Sequence, residues 1–271
     1  MTAEEWPLAA PAADRTVTPA RNAGRTRLDT VRRDFFLNPD QRLSEQERAL
    51  MTAMLHAIVS DIADELRASL PPSSAVANDE DNGALVAELT AAGLLDQPPL
   101  IELLLRRADE EQITSAVRAR SGRRDGRLLQ TLVSDDNASI SAAAMSLILA
   151  RGRRRDRFGQ ARIEFDDLPP QTAIALTQVV GAGLRPRLLV TTDRQVADHQ
   201  LAAASTALVR RHDPAKRLEA LAAALMRLLD EQGRLDDDLI ATVAEDGDVV
   251  LLAQALARRA AISGEDAFDL L

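Results

Sequence analysis

Ser44 to Pro72 reads SEQERALMTAMLHAIVSDIADELRASLPP, and its spacing decides the fold class. Ser44-Glu45-Gln46-Glu47 is a capping box: the Ser44 hydroxyl can accept the Glu47 amide while the Glu47 carboxylate reaches back to the Ser44 amide. Behind it, Leu50, Met51, Met54, Leu55, Ile58, Val59, Ile62 and Leu66 recur at i, i+3, i+4 and i+7. That is the period of a helix with one apolar face, running for about seven turns until Pro71-Pro72 stops it. So long a stripe suits a bundle seam, within the chain or shared with a second copy, and a homodimer through helix 44–70 is expected.

The rest of the chain agrees with that reading. Of 271 residues, 46% are hydrophobic and 28% charged, ordinary globular values that exclude global disorder. The apolar fraction is mostly Ala and Leu, aromatics are 2%, and Tyr is absent. Ala, Leu, Arg and Glu favour helices, whereas strands need β-branched and aromatic side chains, so the expected class is all-α.

Composition also removes functions. There is no Cys, hence no disulfide, thiolate nucleophile or Cys-ligated zinc. The three histidines, His56, His199 and His212, are far apart, and a helical metal site would rest on carboxylates alone. No metal or cofactor is expected. A net charge of −9 and the scarcity of aromatics argue against nucleic acid as partner. No run of 18 apolar residues occurs, and Met1–Arg27 lacks the pattern of a secretory signal, so no membrane partner and a cytoplasmic location are expected.

Residues 1–30 read as a flexible tail, rich in Ala, Pro, Thr and Arg. A helical bundle is expected over 31–122 and a HEAT-like helical domain over 123–271, with SGRRDG (121–126) as the break. Within the first, short helices are expected near 84–94, from Pro98 through Arg107, and over 110–120. Within the second, LLQTLVSDDNASISAAAM (128–145) aligns without gaps on LIATVAEDGDVVLLAQAL (239–256). Each has an apolar first helix, Thr at the fourth position, an Asp/Asn/Gly turn and an apolar second helix. Recurring pairs of this kind build solenoids, although two unrelated helix pairs of similar composition would look the same. Between them, Pro169-Pro170 opens a helix ended by Pro186, Thr192 or Asp193 caps another through Arg211, and Asp213-Pro214 starts a third through Asp230. RFGQARIEFDDL (157–168) suits a short strand or an irregular loop.

Three stretches resemble an uncharacterised, mainly alphaproteobacterial family, domain of unknown function 2336: DFFLNPDQRLSEQERALMTAMLHAIVSDIADELRASL (34–70), LLQTLVSDDNASISAAAMSLILARGRRRDRFG (128–159) and DLPPQ (167–171). The likeness runs over most of residues 31–190. It implies a helical, partly HEAT-like fold and brings no catalytic residues.

Two candidate sites emerge. On a helical wheel His56 lies opposite the apolar stripe, among Thr52, Ala53, Ser60, Ala63 and Arg67. An exposed imidazole flanked by small residues could relay a phosphoryl group to a response regulator. Against that stand Val59, where a basic residue commonly follows in phosphotransfer domains, and Ala57, where histidine kinases carry an acid. Arg151, Arg153, Arg154, Arg155 and Arg157 form the densest basic run, just after a helix C-terminus. They complement the helix dipole, or bind an acidic partner or a phosphate, though no Gly-rich phosphate loop accompanies them. Asp135-Asp136-Asn137 and Asp236-Asp237-Asp238 read as helix-capping groups, since the rest of a calcium loop is missing. The expected function is a non-catalytic regulatory or scaffold protein that binds a protein partner, with bacterial signal transduction as its setting. The alternatives are a phosphotransfer component using His56 and, last, an enzyme with a carboxylate-only site.

Overall fold

The structure, a computed structural model, describes residues 42–71, 80–121, 127–188 and 193–271. The chain divides into a unit Met1–Ser44 and a unit Glu45–Leu271, and all helices named below belong to the second. The expected tail 1–30 and the expected boundary between 122 and 123 lie outside the described residues.

The fold is all-α. Its helices are α1 (Glu45–Ala68), α2 (Glu80–Ala91), α3 (Pro98–Ser121), α4 (Arg127–Val133), α5 (Ala138–Arg153), α6 (Pro170–Leu188), α7 (Arg194–Arg211), α8 (Leu218–Glu231), α9 (Asp237–Glu245), α10 (Val249–Ala260) and α11 (Gly264–Asp269). Among the described residues the one departure toward β structure is an isolated antiparallel bridge between Arg155 and Ala161. The stretch 157–168 therefore holds one arm of a tight hairpin and a 3-10 turn, Phe165–Asp167, rather than a strand.

Three expected boundaries change. The two helices expected at 98–107 and 110–120 are one, because nothing at 108–109 breaks it. Ala108 is fully buried, and Arg107 pairs with Glu110 one turn on. Helix α6 runs past Pro186 to Leu188, whose complete burial favours keeping the last turn. Asp213 caps a 3-10 turn, Pro214–Lys216, and the α-helix starts only at Leu218.

The buried side chains form two large clusters that interleave along the chain. The first gathers Met54, Ile58, Ile62 and Leu66 of α1 with α2, the first half of α3, and Leu176, Val180 and Leu184 of α6 and Leu201 of α7. The second joins Leu129 and Leu132 of α4, Ile140 and Leu147 of α5, Leu225 and Leu229 of α8, Val243 of α9 and Leu251 of α10. Each fully buried Leu or Ile contributes about 1.5–3 kcal/mol. The aligned stretches become the pairs α4–α5 and α9–α10, and α8 packs on both α5 and α10. The alignment extends to capping. Asn137 caps α5 and Asp248, its counterpart, caps α10, while Thr131 and Thr242 each donate to the carbonyl four residues back.

Candidate functional site

Arg107 of α3 is 5% exposed, so its guanidinium needs compensation inside the protein. Glu110 accepts its Nη1 at 2.6 Å, Glu219 of α8 accepts its Nη2 at 2.8 Å, and Asp167 lies 3.7 Å away. Asp167 is fully buried and takes Arg154 in a two-pronged pair, Nε to Oδ2 at 2.8 Å and Nη2 to Oδ1 at 2.6 Å. Arg154 also donates to the carbonyls of Ala150 and Lys216, which fixes the end of α5 against the turn before α8.

The charges tune one another. Burial pushes the Asp167 carboxyl up, but Arg107 and Arg154 outweigh it and hold it below the usual carboxylate range. Glu219 is likewise raised by burial and, on balance, lowered by Arg107. For Glu110 burial wins over Arg107, and its carboxyl sits above the usual range. Burial works against the Arg107 guanidinium, yet Glu110, Glu219 and Asp167 together raise its pKa. Two buried polar atoms of this cluster, Arg107 Nε and Glu219 Oε2, have no hydrogen-bond partner.

Above this network opens a cleft of about 380 Å³. Arg107, Glu110, Glu111 and Thr114 of α3 form one wall, and Ile148, Arg151 and Gly152 of α5 form another. The turn between α9 and α10 (Asp246, Gly247, Asp248) closes one side, and Arg154, Arg155, Ala161 and Arg162 close the opposite one. Gly247, at φ +67, is positioned by α3. Its carbonyl accepts the Thr114 hydroxyl at 3.0 Å, and a Cβ there would meet Val117 at 3.0 Å. Two rim pairs cross the cleft wall: Arg151 to Asp248 at 2.5 Å, and Arg155 to Glu111 at 2.9 and 3.3 Å.

The sequence's basic run thus separates into three kinds of residue. Arg154 is internal. Arg151 and Arg155 line the cleft, each already paired. Arg153 and Arg157 are exposed, with Arg157 lying over the Phe158 ring, 4.8 Å from its centroid. The hairpin that carries Phe158 is held by Asp156, whose Oδ1 accepts the amides of Phe158 and Gln160, and by the Arg155 bond to the Gly159 carbonyl. Phe158 itself is 74% exposed at the tip.

Arg107 and Arg162 carried no local sequence signal for a site, because Asp167, Glu219 and Asp61 lie on distant segments. The aligned Asp-Gly-Asp turn was the nearest pointer. Asp135 serves capping, accepting the Asn137 amide, and pairs with Arg234. Asp236 caps α9 by accepting the Leu239 amide. Among the described residues no group of three or more His, Cys, Asp and Glu side chains is placed to hold a metal ion.

His56 is remote in sequence from the cleft residues and exposed on α1, with Thr52 and Ala53 exposed beside it. Part of its expected open face is covered, since Ala63 is fully buried. Packing against α2, α3, α6 and α7 surrounds α1 more completely than a single apolar stripe implies.

The family model described as "uncharacterised protein conserved in bacteria (DUF2336)" matches residues 111–271. That range contains the resembling stretches 128–159 and 167–171, but not 34–70. It holds every cleft residue named above except Arg107 and Glu110. No curated protein and no solved structure matches the chain.

Proposed function

The chain belongs to this bacterial family, and from that premise and the geometry above we propose that it is a non-catalytic regulatory or scaffold protein that docks an acidic protein partner. The observation that supports this reading is the hairpin tip. A phenyl ring 74% exposed, on a turn pinned by its own hydrogen bonds, is ordered before any partner arrives. Aromatic anchors on rigid supports are the side chains that dominate interface energetics, because little entropy is lost when they bind. Exposed Arg157 lies over the anchor ring and exposed Arg153 ends the preceding helix, and both favour an acidic rim on the partner.

Affinity capture from the native cell with wild type and with Phe158→Ser tests the proposal. A partner retained by wild type and lost by the variant is the expected result. An unchanged set of captured proteins would overturn it. A response regulator among those proteins would place the chain in signal transduction.

The exposure of His56 favours a second reading, phosphoryl transfer. Acid-labile phosphate on wild type but not on His56→Ala, after incubation with a small phosphodonor, is its expected signature. The apolar stripe of α1 is covered within the chain, so a homodimer through 44–70 would use the exposed face around Arg48, Ala49, Thr52, Ala53 and His56. Light scattering measures that directly. No helix among the described residues is long and apolar enough to cross a membrane.

A further inference from the structure

We propose that the cleft between α3, α5 and the α9–α10 turn is a binding site for a small organic phosphate monoester, its phosphate on the arginines and its apolar body on the cleft wall.

Five guanidinium groups line this cleft: Arg107, Arg151, Arg154, Arg155 and Arg162. Their donors are not exhausted. Arg107 is 95% buried, given its 5% exposure, and its Nε has no partner; the Arg162 Nε is also buried and unpartnered. The α10 N-terminus adds to these, because Val249 and Val250 line the cleft while the Asp248 carboxylate caps Leu251, one residue beyond. Helix N-termini attract negative charge and offer amides to oxyanions.

The cleft lining is close to neutral as it stands, since Glu110, Glu111, Asp246 and Asp248 offset the arginines. What gives an anion access is the position of the rim pairs. Arg151 and Arg155 are 29% and 37% exposed, so both guanidinium groups can be approached from solvent at the rim. Both arginines can turn to a ligand while Asp248 keeps the Leu251 amide. A planar carboxylate is filled by one guanidinium fork. Donors arriving from α3, from α5, from both hairpin arms and from a helix terminus suit a group with three terminal oxygens. Leu129, Ile148, Leu218, Val249 and Val250 supply an apolar wall, and the volume falls in the range of small-molecule sites.

Calorimetric titration of the full chain with phenyl phosphate, inorganic phosphate and phenylacetate tests the proposal. Saturable one-site binding is expected for phenyl phosphate, weaker binding for inorganic phosphate, and weaker again for phenylacetate. Arg151→Gln and Arg155→Gln should each weaken phenyl phosphate binding about tenfold, the loss of one charge-assisted contact. Gly152 lines the cleft and a Cβ there meets nothing within 4 Å, so Gly152→Leu adds bulk at the rim without removing a charge or crowding the fold; it should weaken binding. Arg153→Gln, Arg157→Gln and Phe158→Ser should leave the affinity unchanged, which separates this site from the partner surface. Absence of saturable binding by the wild-type chain overturns the proposal. So does equal weakening by Arg153→Gln, or phenylacetate binding as tightly as phenyl phosphate.

Discussion

At the scale of single residues, the molecule concentrates its risk in the ions around Arg107 and Asp167. A buried carboxylate that accepts two prongs from Arg154 and the Glu164 amide leaves buried Arg154 without its carboxylate partner, and Arg107 with one fewer anion beside it, when its charge is removed. Asp167→Asn is therefore expected to lose about 3–5 kcal/mol, a large share of ordinary domain stability. Urea unfolding reads this as a lower midpoint at unchanged slope, and an unmoved midpoint would show that the network bears no load. Glu110 behaves in the opposite sense. Its carboxyl is raised by burial, so the folded state resists its ionisation, and stability present at low pH is lost as pH rises through its folded pKa. Asp167 and Glu219, both lowered, contribute stability that is present above their unfolded values and lost as pH falls through their folded ones. Glu110→Gln keeps an acceptor for Arg107, removes one anion beside it at every pH, and abolishes the Glu110 titration. Its stability relative to wild type should grow as pH rises above the normal glutamic-acid range. A difference constant with pH would contradict the assigned direction.

At the scale of elements, helix contacts turn on where a Cβ has room. Gly83 lies on the exposed side of α2 with nothing within 4 Å of an added Cβ, whereas at Gly183 of α6 a Cβ would stand 2.6 Å from Leu85 Cδ1 and 3.2 Å from Leu89 Cδ2. Replacing a helical glycine by alanine gains about 0.5–1 kcal/mol from backbone entropy alone. Overpacking a filled core costs about 1–3 kcal/mol. Gly83→Ala should then stabilise, and Gly183→Ala should destabilise by about 1 kcal/mol net, because Leu85 is fully buried and has little space to retreat. Thermal melts of the two variants should move in opposite directions; movement in the same direction would mean that α2 and α6 are not so closely seated. The same scale explains what the sequence showed and what it hid. The stripe of α1, the caps at Asn137, Asp193 and Asp236, and the paired turns are local patterns, legible from neighbours a few residues apart. The fusion of α3 was missed because its polar middle, Arg107-Ala108-Asp109-Glu110, looks like a linker until Glu219, more than 100 residues on, supplies the partner. Arg151, Arg154 and Arg155 were legible as a basic run, but their partners Asp248, Asp167 and Glu111 belong to three other segments, so their division into core and cleft was not.

At the scale of the whole unit, the interleaving of the two cores sets how the chain can be divided. A cut near residue 122 would leave α4, α5, α8, α9 and α10 with most of their own cluster. It would strip α6 and α7 of α1, α2 and α3, exposing Leu176, Val180, Leu184, Leu188 and Leu201 at once. It would also remove Arg107, leaving Asp167 and Glu219 without one of their cations and the cleft without a wall. A fragment 123–271 should accordingly show protected amides in α5, α8 and α10, rapid exchange in α6 and α7, and self-association through the uncovered leucines. The family match covers residues 111–271, almost that fragment, so the outcome bears on what the shared segment needs. Rapid exchange confined to α6 and α7 would mean that the N-terminal helices act as a cover over a separately folding five-helix core. A monomeric fragment with every helix protected would mean instead that α6 and α7 find another seat, and that α1–α3 are dispensable to the rest.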